Sequence, residues 1–243
     1  MCTVRKAIVA RYARHMCGRY GRYSAAEQYA AIIDAMVSPQ LEDSARYNRP
    51  PGTFQLVGLV NPDDGNTTLG PAWWGFVPNW ATDTKLSPIN ARSETAGEKK
   101  LFARSFEQQR CLVAADYWIE WQRNSDAKQP YAIRPSDGHP FFFAGIWSKA
   151  SRLSLDHAAA GQVTFAILTG QPNDDIDHIH DRQPQALTAE GARHWIDPDL
   201  DVDRAHEVLN DERHKTYQAW PIGRRVGNPK NDDAGILERI VAG

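Results

Sequence analysis

Met16-Cys17-Gly18-Arg19 places a cysteine directly after an internal methionine. A residue as small as cysteine lets an initiator methionine be removed, so a chain started at Met16 would begin at Cys17. Such a cysteine carries an α-amine titrating near about pH 8 beside a thiol near about 8.5, and both are partly nucleophilic at neutral pH. Together they form a 1,2-aminothiol, which condenses with an aldehyde to a Schiff base and closes to a thiazolidine. A cysteine inside a chain cannot follow this route, because its nitrogen is an amide. The other reading of Cys17 is a small buried hydrophobe, the usual fate of a free thiol.

Glu120 lies in Tyr117-Trp118-Ile119-Glu120-Trp121, an apolar setting for a carboxylate. Strand alternation puts it on the face of Trp118, where desolvation would raise its pKa and suit it to acid/base work. An edge-strand glutamate pointing to water is the alternative. His178-Ile179-His180-Asp181-Arg182 offers two imidazoles on one side if it is a strand. No third ligand of clear spacing accompanies them, so a metal is not expected. His180 alone could act as acid or base, with Asp181 or Arg182 shaping its surroundings, and His178 reads as a surface residue. Arg19, Arg22, Arg92 and Arg182 interleave with Trp73, Trp74, Trp80 and Trp121. Arginines can hold phosphates and exposed tryptophans can stack bases of a single strand, although most of the eight tryptophans are expected in the core.

These residues need a scaffold. Ser24 with Glu27 three positions on reads as a capping box opening a helix over 25–37. Further helices are expected over 99–109, 188–196 (capped by Thr188) and 202–210. Strands are expected over 55–60, 111–121, 131–134, 141–147 and 163–169, strand and tight loop over 67–77, and a turn at Asn61-Pro62-Asp63-Asp64-Gly65. Helices sit at both ends, strands fill the middle, and βαβ alternation is absent. The expected fold is α+β: a single compact domain with a largely antiparallel, barrel-like sheet flanked by helices.

Composition excludes several classes. With 28 Lys and Arg against 30 Asp and Glu the net charge is −2, too balanced for a protein that coats nucleic acid non-specifically. The charge is uneven, however. Residues 171–212 hold twelve acids and three arginines, whereas 1–15 hold four basic residues and no acid. The acidic stretch reads as a solvated surface, and a local basic groove is still allowed. No run of about 18 apolar residues exists that could span a membrane as a helix. Cys2, Cys17 and Cys111 are too few for a disulfide framework and suggest a reducing compartment. Residues 1–15 lack the apolar core of a secretory signal.

Eight ordered motifs together resemble the SOS response-associated peptidase (SRAP) family, the abasic-site processing proteins. They are Met16-Cys17-Gly18-Arg19-Tyr20, Arg46-Tyr47-Asn48 with Pro51, Trp74-Gly75-Phe76-Val77-Pro78 up to Trp80, and Ile89-Asn90-Ala91-Arg92-Ser93-Glu94. The series continues with Arg110-Cys111-Leu112-Val113 leading to Glu120-Trp121, Phe143-Ala144-Gly145-Ile146-Trp147, Ile179-His180-Asp181-Arg182 with Pro184, and Asn228-Pro229-Lys230-Asn231-Asp232. The resemblance implies that Cys17 attacks the ring-opened aldehyde of an abasic site in single-stranded DNA and forms a covalent thiazolidine crosslink. It assigns Asn90 to positioning the amine and sugar, Glu120 to ring opening and proton transfer, and His180 to acid/base steps of Schiff-base formation and reversal. Arg19, Arg92 and Arg182 would hold phosphates, Trp80 and Trp121 would stack flanking bases, and Pro51 would line the DNA. Autocatalytic peptidase (hydrolase) and lyase-type activities, no cofactor or metal, a monomer, and a cytoplasmic location, nucleoid-associated during DNA damage, complete the implication.

The chain departs from the family's pattern at Pro50, at Ala114-Ala115-Asp116-Tyr117 (often Pro-Ala-Asp-Gly) and at Gln183. The expected organisation is a 1–15 extension, either outside the true start or removed, and a functional domain over 16–243. Two rival functions stand beside crosslinking. One is a cysteine peptidase on protein substrates with Cys17 as nucleophile and His180 as base. The other is a non-catalytic single-strand-binding module.

Overall fold

The structure, a computed structural model, describes residues 18–61, 64–122 and 128–241. Cys17 and the 1–15 extension therefore lie outside the described residues. Fourteen strands are described: β1 (Tyr20–Arg22), β2 (Met36–Val37), β3 (Arg46–Arg49), β4 (Phe54–Val60), β5 (Thr67–Trp74), β6 (Asn90–Arg92), β7 (Arg110–Ala115), β8 (Tyr117–Trp121), β9 (Pro130–Pro135), β10 (Phe141–Lys149), β11 (Val163–Gly170), β12 (Gln183–Pro184), β13 (Ala186–Leu187) and β14 (Tyr217–Pro221). Five α-helices accompany them: α1 (Ala26–Ile33), α2 (Ser93–Ala96), α3 (Ala103–Gln108), α4 (Ala189–Trp195) and α5 (Val202–Asp211).

The larger sheet closes on itself. Strands follow the order β11-β10-β7-β4-β5, and β5 pairs back onto β11 through Thr164–Trp73 and Phe165–Trp74. The first four pairings are antiparallel and the closing one is parallel. Parity demands this, since each antiparallel pairing reverses direction and a ring of five cannot close on five reversals. The expected α+β fold with a largely antiparallel barrel is what the chain adopts. The smaller sheet, β14-β9-β8-β1-β3, is open.

Alternation along the barrel strands divides the core in two. Leu112, Ala114, Phe142, Ala144, Ala166 and Leu168 face α1, α4 and α5, burying Tyr29, Trp195 and Leu209. Their neighbours Cys111, Val113, Phe141, Phe143, Phe165 and Ile167 join Tyr20, Trp118 and Ile133 of the smaller sheet. Rings meet at aromatic-pair geometry there: Tyr20 lies 5.1 Å from Trp74, and Trp118 lies 6.0 Å from Phe143 edge-on. Ile89, Trp118 and Ile179 of this second cluster adjoin the candidate residues Asn90, Glu120 and His180.

Several sequence expectations are corrected. The 111–121 segment is two strands, not one. Asp116 sits at the joint, β7 continues the barrel and β8 crosses into the smaller sheet. The first helix ends at Ile33, where Asp34 takes a left-handed conformation (φ 52°), and Met36–Val37 pair with β5 instead of extending it. Its N-cap is Ala25, whose N–H donates to the Gln28 side chain. The Ser24 hydroxyl is taken by Asp116 at 2.6 Å, so the Ser24–Glu27 capping box does not form. Thr188 does cap α4, accepting from the Gly191 N–H at 3.1 Å. The expected helix over 99–109 shortens to α3.

Candidate active site

Four segments that carry candidate residues each have a neighbouring residue buried in the cluster that holds Trp118. Ile89 is buried there immediately before Asn90, and Ile179 immediately before His180. Trp118 lies two residues before Glu120 on the same strand face, and Tyr20 lies three residues after Cys17. β1 runs antiparallel to β8, with Tyr20 opposite Trp118, and the Ile119 N–H donates to the Arg19 carbonyl at 2.9 Å. This register carries the chain before Arg19 towards the Glu120 end of β8.

Glu120 is only 4% exposed. Its strand lies between β1 and β9, with Glu120 opposite Tyr131. The water-facing edge-strand reading is therefore excluded. Asn90 opens β6, which runs parallel to β11 with Asn90 beside Ile167 and Arg92 beside Thr169. The chain leaves the same edge of β11 at Gly75 and returns at Ile89: Gly75 donates to the Phe165 carbonyl, and Ile167 donates to the Ile89 carbonyl, each at 3.0 Å. Gly75 has φ 141°, and a Cβ there would stand 2.7 Å from the Ser87 hydroxyl, so the excursion needs glycine. Trp80 rides on that excursion with 55% of its surface exposed.

The His178–His180 segment is a turn and not a strand, so its two imidazoles are not on one side of a pleat. His178 is exposed and lies edge-on to Tyr131 at 6.5 Å. The His180 side chain is 10% exposed. Its Nδ1 accepts the Arg182 N–H at 3.1 Å and has Asp181 Oδ1 at 3.2 Å. Among the described residues no group of three His, Cys, Asp or Glu could hold a metal. No described helix is long and apolar enough to cross a membrane.

The arginines differ from one another. Arg92 is exposed at the end of β6. Arg19 is half-buried, donates to Asn48 Oδ1 at 2.7 Å and lies 6.0 Å from the Trp121 ring centre. Burial lowers its pKa to about 10, still charged at neutral pH. Arg182, expected to hold a phosphate, is instead buried and bound to Glu94 through both outer nitrogens, at 2.5 and 2.7 Å. Pro51 is half-buried beside Gly52, whose φ of 74° turns the chain towards Trp73. Trp121 is half-buried and packs with Tyr47, Ile222 and Val226.

Two quoted motifs turn out to hold each other. Asn48 is buried, with Nδ2 within 2.8–3.1 Å of the Val226, Asn228 and Asn231 carbonyls, and its N–H donates to Asp232 at 2.8 Å. No spacing rule links residues so far apart, so the sequence reading missed this clamp. The Arg19 contact to Asn48 ties it to the strand that follows Cys17.

The family model for SOS response associated peptidase matches residues 16–229. The chain belongs to that family. It is 33% identical over 231 residues to the abasic site processing protein YedK of Escherichia coli (strain K12), covering 93% of this chain and 100% of that protein. The abasic site processing protein YoaM of Bacillus subtilis (strain 168) is 33% identical over 228 residues, covering 92% and 98%. A solved structure from Bacteroides thetaiotaomicron shares the fold, with a TM-score of 0.78 and 23% identity over 93% of this chain and all of that one.

Where this SRAP chain departs from the family pattern, the structure shows how it compensates. Tyr117 lies over Gly21, where a Cβ would come within 2.3 Å of its ring, and its hydroxyl donates to the Tyr47 carbonyl. Gln183 is buried, accepts the Asn173 N–H at 2.8 Å and donates to the Tyr217 hydroxyl at 3.2 Å. Both departures carry hydrogen bonds of their own beside the SRAP motifs.

Proposed function

We propose that this SRAP protein processes abasic sites in single-stranded DNA by forming a covalent thiazolidine crosslink through Cys17. The observation that supports this most is the shared anchoring of Ile89-Asn90, Trp118-Ile119-Glu120, Ile179-His180 and Tyr20 in one apolar cluster. The names of the relatives support the substrate. In this reading residues 16–243 are the functional domain, and the active form begins at Cys17.

The reaction follows from a 1,2-aminothiol meeting an aldehyde. The Cys17 amine adds to C1′ of the ring-opened sugar and water leaves, giving a Schiff base. The thiolate then adds to the imine carbon, and the nitrogen takes up a proton as the five-membered ring closes. Asn90 orients the amine and sugar, Glu120 assists ring opening and proton transfer, and His180 serves as acid and base in Schiff-base formation and reversal. Arg19 and Arg92 hold phosphates, while Trp80 and Trp121 stack the flanking bases beside Pro51. Autocatalytic exposure of Cys17 and lyase-type release belong to the same proposal, as do a monomeric state, no cofactor, and a cytoplasmic site at damaged DNA.

The test incubates protein beginning at Cys17 with abasic single-stranded DNA, followed by a denaturing gel. A covalent band that is lost with Cys17→Ala is expected. Full activity of the 243-residue form with Cys17 internal would instead favour a cysteine peptidase. DNA affinity without any adduct would favour a binding module. Intact mass of the purified native protein reports whether the chain begins at Met1, Met16 or Cys17.

A further inference from the structure

The His180 turn and the Asn90 strand approach β11 from opposite edges. β6 runs along one edge, with Arg92 beside Thr169, and β12 lies along the other, with Pro184 beside Thr169 and Gln183 beside Gly170. Arg182, immediately before β12, crosses the carboxyl end of β11. Its Nη1 and Nη2 donate to Glu94 Oε1 and Oε2, and Nη2 also donates to the Thr169 carbonyl at 2.5 Å. Glu94 stands in the first turn of α2, directly after the strand that carries Asn90 and Arg92. A guanidinium held on both outer nitrogens is a strut between the two segments, and its planar fork suits two-point contact with a carboxylate.

The other end of the strut is His180. The main-chain N–H of Arg182 lies 3.1 Å from His180 Nδ1 and can donate to it. When the ring takes a second proton, Nδ1 has Asp181 Oδ1 and the Arg182 carbonyl, each at 3.2 Å, to donate to. In both charge states Nδ1 is held by its own turn, and Arg182 holds that turn in place.

We propose that Glu94 is a positioning residue for His180, acting through Arg182 to lock the His180 turn to the Asn90 strand. The proposal rests on the reading of His180 as acid and base given above. Glu94 suits the role electrostatically. Burial pushes its carboxyl up, but hydrogen bonding from Arg182 and the charges of Arg182 and Arg92 outweigh this and hold it below its ordinary value. Glu94 therefore stays anionic under Arg182 throughout the neutral range. It also explains a motif residue that substrate contact does not require, since its carboxylate is already taken by Arg182.

The test compares variants of the chain that starts at Cys17. Glu94→Gln is expected to slow crosslinking to abasic single-stranded DNA about tenfold and to displace the pH–rate profile, while Glu94→Asp keeps most of the rate. Non-covalent affinity for an intact oligonucleotide should stay within about twofold, because the Glu94 carboxylate faces Arg182 and offers DNA no favourable contact. Nitrogen-15 NMR of His180 should show one dominant ring tautomer in the wild type and a mixture of tautomers in Glu94→Gln. An unchanged pH profile together with an unchanged ring signature would overturn the proposal. His180→Gln separates the two levels. If it leaves rate and pH profile intact, the acid/base reading of His180 fails; if it alters them while Glu94→Gln is silent, only the role of Glu94 fails. Should Glu94→Gln not fold, Arg182→Lys removes the two-point contact while keeping the charge, and the ring signature decides in the same way.

Discussion

Arg182 seats its guanidinium on the Glu94 carboxylate across the end of β11, joining residues 88 apart in the chain. The pair makes stability depend on pH in a definite direction. A carboxyl held below its ordinary value of 4.5 binds a proton less readily in the folded state than in the unfolded one. Its contribution is therefore present above that value and lost as pH falls through the folded one. The Glu94 side chain is 43% exposed, so screening limits the contribution to about 1 kcal/mol. Urea melts of wild type and Glu94→Gln should differ at neutral pH and converge as pH falls through the depressed folded-state value. A gap that widens on acidification contradicts this.

Asn48 is a structural clamp. Asn48→Ala removes the amide from three carbonyls and from Arg19 and leaves those groups short of partners. A loss of about 3 kcal/mol is expected, read as a lower urea midpoint at unchanged slope. Faster proteolysis within 226–232 should accompany it. A midpoint unchanged from wild type argues against the clamp.

Gly21 and Tyr117 are coupled. Gly21→Ala puts a methyl group into the Tyr117 ring and should destabilise by about 2–3 kcal/mol. In a Tyr117→Ala background the same change should cost about 0.5 kcal/mol or less, because the obstacle is gone. A double-mutant cycle measured by denaturant melts checks this. Equal costs in the two backgrounds would show that the clash is relieved elsewhere.

Trp80 and Arg92 should separate binding from stability. Trp80 is mostly exposed, so Trp80→Ala should leave the melting temperature nearly unchanged while weakening single-strand affinity about tenfold through lost stacking. Arg92→Ala should lower the slope of log affinity against log salt by about 0.7, one phosphate contact on a single strand. Fluorescence anisotropy across a salt series measures both. An affinity that ignores Trp80 removes it from the DNA path.

The sequence by itself determined the family and most strands and helices of the middle and end of the chain. Those features are local: motifs are read in place, and alternation over a few residues is enough to mark a strand. Helix ends were less legible. Ser24 offers the right hydroxyl for a cap, but Asp116 takes it from 92 residues away. Very short strands such as β6 and β12 carry too few residues to show a period, and they form because β11 offers them hydrogen-bonding edges.

Tertiary structure alone decided what each polar side chain does. Arg182 and Arg92 read alike in sequence, yet one is buried against Glu94 and the other is exposed. Asn48 and Asp232 belong to two separate sequence motifs, yet they bind one another across 184 residues. Glu120 could have faced water or the core until β9 and β1 closed on either side of β8. Burial and hydrogen-bond partners depend on which distant segments share a sheet edge, and no local pattern contains that pairing.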